Sequence, residues 1–247
     1  MNNEFQAVAI IPAAGSGRRM GSEINKIWLP IDGKSIVTYT LEVFLDSPWV
    51  DQIILVVNPV ELAEFENFLK ANFHPPSKEV ILIPGGVERR DSVSNALNFL
   101  KNWQGWRVPK RLVAIHDAAR ALITPELIDA SIKAGLEHGA AGVGVPVKDT
   151  IKKVDDFCFI EQTPERSKLW AIQTPQVFDF QLITACYEAT ADLNIRFSDD
   201  CSVAEYCGRR VKMIPGSYEN FKITTPEDLV LAEILLRRRK NANRAGN

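Results

Sequence analysis

The feature that most constrains the fold is a repeated pattern in which a short apolar run stops abruptly and a stretch of helical periodicity follows. Continuous apolar runs of this length are typical of strands covered on both faces, as in parallel sheets. Strand, loop and helix in alternation predict an α/β fold of Rossmann-like type, with a mostly parallel twisted sheet flanked by helices. Ligands bind such sheets at the carboxyl ends of the strands. The predicted strands are Val8–Ile11, Ile53–Val57, Val80–Ile83 and Leu112–Ile115, and helical patterns follow at Ser35–Leu45, at Glu61–Ala71 and from Asp91.

One segment interrupts this alternation. Residues Thr150 to Trp170 alternate charged and apolar side chains with few helical signals, which predicts a hairpin or extended β-arm at about 147–171. A thin arm cannot bury a core of its own, so we expect it to pack on a second subunit. We therefore expect one domain, 1–247, with an arm for homodimerisation. Further helices are predicted at Phe180–Ala189, Asp200–Tyr206 and Glu227–Arg239, with a strand-like run at Val211–Ile214.

Composition excludes several classes of function. The 247 residues carry a formal net charge of −2, which gives no global attraction for nucleic acid or a membrane surface. No stretch approaches the ~20 apolar residues that span a bilayer. The four cysteines form no CxxC pair and are typical of reduced thiols in a cytosolic protein. We expect a cytoplasmic protein without nucleic-acid or membrane partners, whose anion sites are local basic clusters.

The strongest local signal is the loop after the first strand, Pro12-Ala13-Ala14-Gly15-Ser16-Gly17-Arg18-Arg19, with Lys26 soon after. Small residues let backbone N–H groups approach and cradle phosphate oxygens. The loop lacks the Gly-Lys-Ser/Thr ending of a Walker A motif, and Met20 occupies the third glycine position of a dinucleotide fingerprint. A triphosphate that loses pyrophosphate needs cations on the leaving group, and Arg19 and Lys26 fit that requirement. The loop therefore favours a nucleotidyltransferase that uses a nucleoside triphosphate.

Seven segments in order carry a family resemblance. Together they resemble the 2-C-methyl-D-erythritol 4-phosphate cytidylyltransferases, a nucleotidyltransferase family of the non-mevalonate isoprenoid pathway. The resemblance runs from about Val8 to Leu231, although Asn25-Lys26-Ile27-Trp28 stands where the family usually has Pro-Lys-Gln-Tyr. The segments are Ile11–Gly21, Gly85–Val93, His116–Arg120, Pro146–Thr150, Gln173–Phe178, Ser198–Asp200 and Asn220–Thr224.

The resemblance implies a role for each matching residue. It implies transfer of CMP from CTP to 2-C-methyl-D-erythritol 4-phosphate with release of pyrophosphate, aided by Mg²⁺ or another divalent cation at Asp117. It also implies a homodimer in which Arg166 reaches the active site from the partner's arm. CTP would be bound by Pro12, Ala13, Ala14, Gly15, Ser16, Gly17, Gly85, Gly86, Ser92 and Ala118. The acceptor would be bound by Asp117, Arg120, Thr150, Arg166 and Thr174, and the catalytic residues would be Arg19, Lys26 and Lys222.

The roles of the adjacent residues His116 and Asp117 can also be inferred from physical chemistry. Asp117 follows an apolar strand, so its carboxylate lies at the ligand edge, where Mg²⁺ takes one or two such oxygens together with phosphates and water. The alternative role for Asp117 is to cap a following helix. His116 suggests a general base, but a phosphate monoester nucleophile is largely ionised near neutral pH because its second pKa is about 6. No base is required, and His116 is interpreted as structural.

Three alternative functions stay open at this point. A ribitol- or other polyol-phosphate cytidylyltransferase would share the fold and differ in its acceptor pocket. A non-catalytic nucleotide-binding subunit would lack some of the charged residues Arg19, Lys26, Asp117 and Lys222, all of which this chain keeps. A dinucleotide-dependent oxidoreductase would have an acidic residue closing the second strand. That strand instead ends at Asn58-Pro59.

Overall fold

The computed structural model describes residues 4–15, 25–73 and 78–245, with side chains as far as residue 242. Ser16, Gly17 and Arg19, which the sequence assigns to CTP binding and catalysis, lie outside these ranges. Within them, seven strands form one sheet. They are β1 (Gln6–Pro12), β4 (Gln52–Val57), β5 (Val80–Pro84), β6 (Arg111–Ile115), β7 (Ala140–Pro146), β10 (Trp170–Asp179) and β11 (Lys212–Pro215). Their order across the sheet is β11-β7-β10-β6-β1-β4-β5.

The sheet is mostly parallel, as predicted. Strand β10 alone runs antiparallel to both of its neighbours, β6 and β7, whereas the other pairs in the sheet are parallel. The described residues form seven α-helices, of which the first six pack on the two faces of the sheet, and the α/β prediction is confirmed. They are α1 (Ile36–Asp46), α2 (Leu62–Asn72), α3 (Arg89–Lys101), α4 (Pro125–His138), α5 (Phe180–Ala189), α6 (Asp200–Tyr206) and α7 (Pro226–Ala245).

Strand β1 shows why the apolar runs are unbroken. Successive side chains of a strand point to opposite faces, and here both faces are covered by helices. Ala9 and Ile11 pack in the cluster that contains residues of α1, α2 and α4. Val8 and Ile10 pack in the cluster that contains residues of α3, α5 and α6. Every position of the run is therefore buried and apolar, with no polar alternation.

Several elements were not predicted from the sequence, among them β7, β10 and α4. The antiparallel direction of β10 breaks the alternation of strand and helix. Helix α4 was missed although its sequence carries ordinary start and stop signals. The Thr124 hydroxyl accepts from the backbone N–H of Leu127, Pro125 occupies the first turn, and Gly139 ends the helix with a φ of 75°. A left-handed residue after the last turn is a frequent helix terminator.

The predicted arm is a small hairpin that protrudes from the sheet. Strands β8 (Lys153–Val154) and β9 (Ile160–Gln162) pair antiparallel, and every residue of both is exposed. Phe157 is 82% exposed and Phe159 is 71% exposed at its tip. Neighbouring large apolar side chains that are this exposed often mark an interaction site. Within the described ranges, no helix is both long enough and apolar enough to cross a membrane.

The last helix, α7, packs beside the segment that carries Lys222. Its Ala232 and Leu236 pack in a third apolar cluster with Ile223 and Leu122. A two-residue hairpin, β2 (Pro30–Ile31) with β3 (Lys34–Ser35), contributes to the same cluster. This cluster joins the segment after Lys26 to the segment that carries Lys222.

Candidate active site

The loops that follow β1, β4, β5 and β6 meet at one edge of the sheet. The backbone N–H of Ala13 donates to the carbonyl of Val56 (2.7 Å), and that of Gly85 donates to the carbonyl of Val57 (2.7 Å). The N–H of Ala118 donates to the carbonyl of Pro12 (3.4 Å). Because parallel strands end at the same edge, segments far apart in sequence become neighbours there. The residues assigned to CTP by resemblance, so far as they are described, lie along this edge.

Lys26 lies in a short 3-10 turn, Lys26–Trp28, that is fixed by the residues in which this chain departs from the family pattern. The side-chain amide of Asn25 donates to the carbonyl of Ala13 (3.0 Å) and to Glu61 Oε2 (3.1 Å). Trp28 donates from Nε1 to Glu61 Oε1 (3.2 Å). The Lys26 ammonium donates to the carbonyl of Ile223 (2.8 Å). Asn25 and Trp28 therefore attach the turn to Glu61, and the Lys26 ammonium lies beside the segment that carries Lys222.

The centre of the site is the carboxylate of Asp117, which three cations share. Its Oδ1 lies 2.8 Å from Arg89 Nε. Its Oδ2 lies 3.0 Å from Lys222 Nζ and 3.6 Å from Arg120 Nε. No α-helix begins in the turn after Asp117, so Asp117 is not a helix cap here, and that alternative is wrong.

The surrounding charges decide the ionisation of Asp117. Burial by itself would raise the pKa of this carboxyl, but the charges of Arg89, Lys222 and Arg120 outweigh burial and hold the pKa well below its ordinary value. Asp117 is thus a fixed negative charge among cations. An ionised, partly engaged carboxylate of this kind is a suitable ligand for a hard divalent cation.

Thr174 and His116 support Asp117 from behind. The Thr174 hydroxyl accepts from the backbone N–H of Asp117 (3.2 Å) and lies 3.0 Å from His116 Nδ1. A register shift between Ile172 and Gln176, where β10 pairs with β7, accompanies this placement of Thr174. His116 is fully buried, and burial lowers its pKa to about 3. The ring is neutral at physiological pH and packed against Phe44, which agrees with the structural role inferred from the sequence.

The loop after β5 is tightly packed. A Cβ added to Gly86 would lie 2.2 Å from the Cβ of Asp91, and one added to Gly85 would lie 2.6 Å from the Cβ of Ala14. The Ser92 hydroxyl accepts from the backbone N–H of Gly86 (3.2 Å) and donates to the carbonyl of Glu88 (3.2 Å). Backbone can therefore approach a ligand at Gly86 where no side chain fits.

Two of the residues assigned to acceptor binding lie on the arm. Thr150 and Arg166 are both exposed, and Arg166 donates from Nη1 to the carbonyl of Lys148 (2.9 Å) within the arm. Arg120, in contrast, is held beside Asp117 because its Nη1 donates to the carbonyl of Asn220 (2.8 Å). A single chain, in the part described, brings together Asp117, Arg120, Thr174 and Lys222, without the two arm residues.

Sequence reasoning missed two charged residues of this cluster. Arg89 and Asp200 both stand within segments that carry the family resemblance, but neither was assigned a role. Asp199 caps α6, because its Oδ1 accepts from the backbone N–H of Ser202 (3.0 Å). Asp200, fully buried, instead binds the guanidinium of Arg89. The available signal was an arginine three residues after the Gly85-Gly86 pair, at a strand end and the start of a helix, where anion sites form.

His116 gives a pH prediction for stability. The unfolded chain protonates this imidazole near pH 6.5, whereas the native ring, with its pKa lowered to about 3, stays neutral. The stabilisation is therefore complete above pH 6.5 and is lost as the pH falls towards 3, by about 2 kcal/mol at pH 5. Urea unfolding of a His116→Gln variant should show a weaker fall of unfolding free energy between pH 7 and pH 5. The exposed His138→Gln variant is the control, and an equal change in both variants would contradict the prediction.

Comparisons with known proteins agree with this geometry. A family model described as 2-C-methyl-D-erythritol 4-phosphate cytidylyltransferase matches residues 7–238. Proteins of that name from Desulforamulus reducens and Syntrophotalea carbinolica are 42% and 44% identical, over 94% and 92% of this chain and 96% and 94% of their own lengths. A crystal structure of 4-diphosphocytidyl-2C-methyl-D-erythritol synthase from Anaerococcus prevotii superposes with a TM-score of 0.81 at 29% identity, covering 94% of this chain and 96% of that one.

Proposed function

This chain belongs to the 2-C-methyl-D-erythritol 4-phosphate cytidylyltransferase family, and we propose that the Asp117 cluster is where it carries out that family's reaction. It transfers CMP from CTP to 2-C-methyl-D-erythritol 4-phosphate, a step of isoprenoid biosynthesis. The observation that carries the assignment of the site is one buried carboxylate shared by Arg89, Arg120 and Lys222 at the strand edge beside the glycine-rich loop. In that cluster three cationic side chains share one carboxylate, and the excess positive charge is available to two phosphorylated substrates.

The reaction requires alignment and charge neutralisation more than proton transfer. An oxygen of the acceptor phosphate forms a bond to the α-phosphorus of CTP, and the bond from that phosphorus to the β-phosphate oxygen breaks, so that pyrophosphate leaves with the charge. The attacking phosphate is already largely ionised near neutral pH. No proton has to be removed from the acceptor in this step, so the neutral, buried His116 is not needed as a base. Lys222 and Arg120 hold the acceptor phosphate in line for the attack.

Lys26 and Arg19 are proposed to act on the CTP side. The charge that develops on the leaving pyrophosphate is best stabilised by cations already in place before the reaction. The Lys26 ammonium is positioned by the fixed turn at Asn25 and Trp28 and lies against the carbonyl of Ile223. Arg19 is included through the family resemblance.

A divalent cation, Mg²⁺ in the simplest case, fits the donor set at this edge. The described residues contain no group of three or more His, Cys, Asp or Glu that could hold a metal, whereas Mg²⁺ bound with nucleotides takes one or two carboxylates plus phosphate oxygens and water. Asp117, ionised at the strand end, would hold the ion. When bound, it supplies positive charge to the phosphates of CTP.

The arm is proposed to complete the site of a partner subunit in a homodimer. Arg166 and Thr150 are assigned to the acceptor, yet both are exposed on a hairpin whose apolar tip is bare. Arg166 and Lys222 would then act in the same site from different chains. Catalysis would require both subunits.

Subunit mixing tests this arrangement. An Arg166→Ala variant and a Lys222→Ala variant should each be nearly inactive, but mixed dimers would contain one site with both residues intact. Random exchange should restore about a quarter of the activity of the unmodified protein. The measurement is pyrophosphate release after the two variants are unfolded together and refolded. No recovery in a mixture that forms dimers by light scattering would show that Arg166 acts within its own chain.

We propose a cytoplasmic location for this enzyme. All four cysteines are free thiols, including Cys186 and Cys207, which lie close enough for the Cys207 thiol to donate to the Cys186 carbonyl (3.8 Å). Free, neighbouring cysteines are ordinary in a reducing compartment and unusual in secreted proteins.

The reaction itself is tested by turnover with competing acceptors. Purified protein with CTP and Mg²⁺ should release pyrophosphate with 2-C-methyl-D-erythritol 4-phosphate much faster than with ribitol 5-phosphate. Preference for ribitol 5-phosphate would replace the acceptor assignment. Binding of CTP without pyrophosphate release with either acceptor would instead indicate a nucleotide-binding subunit.

A further inference from the structure

Arg89 links two carboxylates from different parts of the chain. It is the first residue of α3 and lies three positions after Gly86. Its Nε donates to Asp117 Oδ1 (2.8 Å), while Nη1 and Nη2 donate to the two oxygens of Asp200 (3.2 and 2.8 Å). The planar guanidinium therefore bridges the nucleotide side of the site, the end of β6 and the start of α6.

Asp200 is held firmly enough to act as an anchor. It is fully buried, and the Tyr187 hydroxyl, from α5, donates to its Oδ1 (2.6 Å). The helix that carries Asp200 is fixed to β10, since Gln176 donates to Asp199 Oδ2 (2.7 Å) and accepts from the backbone N–H of Cys201 (2.9 Å). Both oxygens of Asp200 are directed at Arg89 by this frame.

As a consequence, the two carboxylate oxygens of Asp117 contact different cations. Oδ1 is occupied by Arg89, so only Oδ2 faces Lys222 (3.0 Å) and Arg120 (3.6 Å). An Arg–carboxylate pair is strongest when both oxygens meet two N–H groups of one guanidinium. Without Arg89, Asp117 is free to turn and form such a pair with Arg120 or to hold Lys222 more tightly. Either change removes a cation from the acceptor phosphate.

We propose that Arg89 and Asp200 are positioning residues for the acceptor side of this reaction, which act by fixing the orientation of Asp117. They do not contact the reacting atoms in this role. Stability alone is a weak reason for such a buried network, because replacing buried ion pairs by apolar residues is often neutral or stabilising. The inference rests on the proposed function of the Asp117 cluster and adds two residues to it.

The test compares Arg89→Lys and Asp200→Asn with a control at the adjacent arginine. Lysine keeps the charge but has no planar fork to bridge two carboxylates. In steady-state turnover, both variants should raise KM for the acceptor about 10-fold and lower kcat, with KM for CTP within about twofold of the unmodified protein. Arg90→Lys is the matched control, because Arg90 donates to the carbonyl and hydroxyl of Thr190 (2.6 and 2.8 Å) and to neither carboxylate. It should leave KM for the acceptor within about twofold.

A second variant and a second measurement separate positioning from folding. Tyr187→Phe keeps the ring and removes only the hydroxyl on Asp200, so it should shift KM for the acceptor in the same direction by about 2- to 3-fold. Calorimetric binding of the acceptor, in the presence of a non-hydrolysable CTP analogue, makes the same comparison without turnover. Weaker acceptor binding in Arg89→Lys but not in Arg90→Lys would support the proposal. Equal losses for acceptor and CTP, or lower melting temperatures with unchanged KM and affinity, would overturn it, whereas absence of turnover by the unmodified protein would count against the proposed function instead.

Discussion

Replacing Lys26 by alanine is expected to lower kcat for cytidylyl transfer by about 10²- to 10³-fold, the loss typical of removing one preorganised charge-stabilising donor. The Lys26 ammonium lies against the carbonyl of Ile223, one residue from Lys222, and the proposed function assigns Lys26 to CTP and Lys222 to the acceptor. Removing Lys26 leaves the developing charge of pyrophosphate without one of its fixed cations. Ground-state binding of CTP should change much less than kcat, because the charge on the leaving group grows only as the bond breaks.

Pyrophosphate release at saturating CTP and acceptor measures this effect. Lys34→Ala is the control, since Lys34 is an exposed lysine nearby whose partner is Glu42. The double variant Arg19→Ala/Lys26→Ala should be slower still. Full kcat in the double variant would refute the assignment of leaving-group stabilisation to these cations.

Replacing Asp117 by asparagine is expected to lower kcat/KM for the acceptor by about 10³-fold. Asparagine keeps the shape of the side chain and removes the charge that Arg89, Arg120 and Lys222 share. The cations would then repel one another and lose their fixed arrangement. The proposed ligand of Mg²⁺ would be lost as well, so the variant should need more Mg²⁺ for half-maximal rate.

The measurement is kcat/KM for the acceptor, together with a Mg²⁺ titration and a thermal melt. Asp179→Asn is the matched control, because Asp179 also ends a strand but caps α5 through Gln181 and Leu182. That control should lose about 1 kcal/mol of stability at most and little activity. Comparable kcat/KM for Asp117→Asn and the unmodified protein would exclude Asp117 from the active site.

The predicted and missed elements of the fold differ in how local their signals are. The runs at Ile53–Val57 and Leu112–Ile115 were correctly assigned to buried strands, because covering both faces of a sheet requires an unbroken apolar sequence. Helix α4 was missed, although Thr124, Pro125 and Gly139 carry local signals for its two ends. Strand β10 was not, because its direction is set by which neighbours it meets, and Trp170–Asp179 pairs antiparallel with both β6 and β7.

The residues of the candidate site also differ in whether a local sequence signal identifies them. Asp117 was predicted from its own position, since a carboxylate directly after an apolar strand must lie at the ligand edge. That Lys222 belongs to the same site was implied only by resemblance, and its ion pair with Asp117 was found in the structure. Arg89 and Asp200 are 111 positions apart, and no pattern within either segment specifies that they meet. Their contact depends on how α6 packs beside α3.

The sequence by itself determined the α/β class, the strand ends at which ligands bind, the arm and the family, because each of these is written in local periodicity or in short runs of residues. Only the tertiary structure decided which charges share Asp117, that Asn25 and Trp28 hold the Lys26 turn through Glu61, and that the buried Asp200 binds Arg89. The physical reason is that electrostatic energy depends on distance and burial. Both are fixed only when strands and helices distant in the chain pack together.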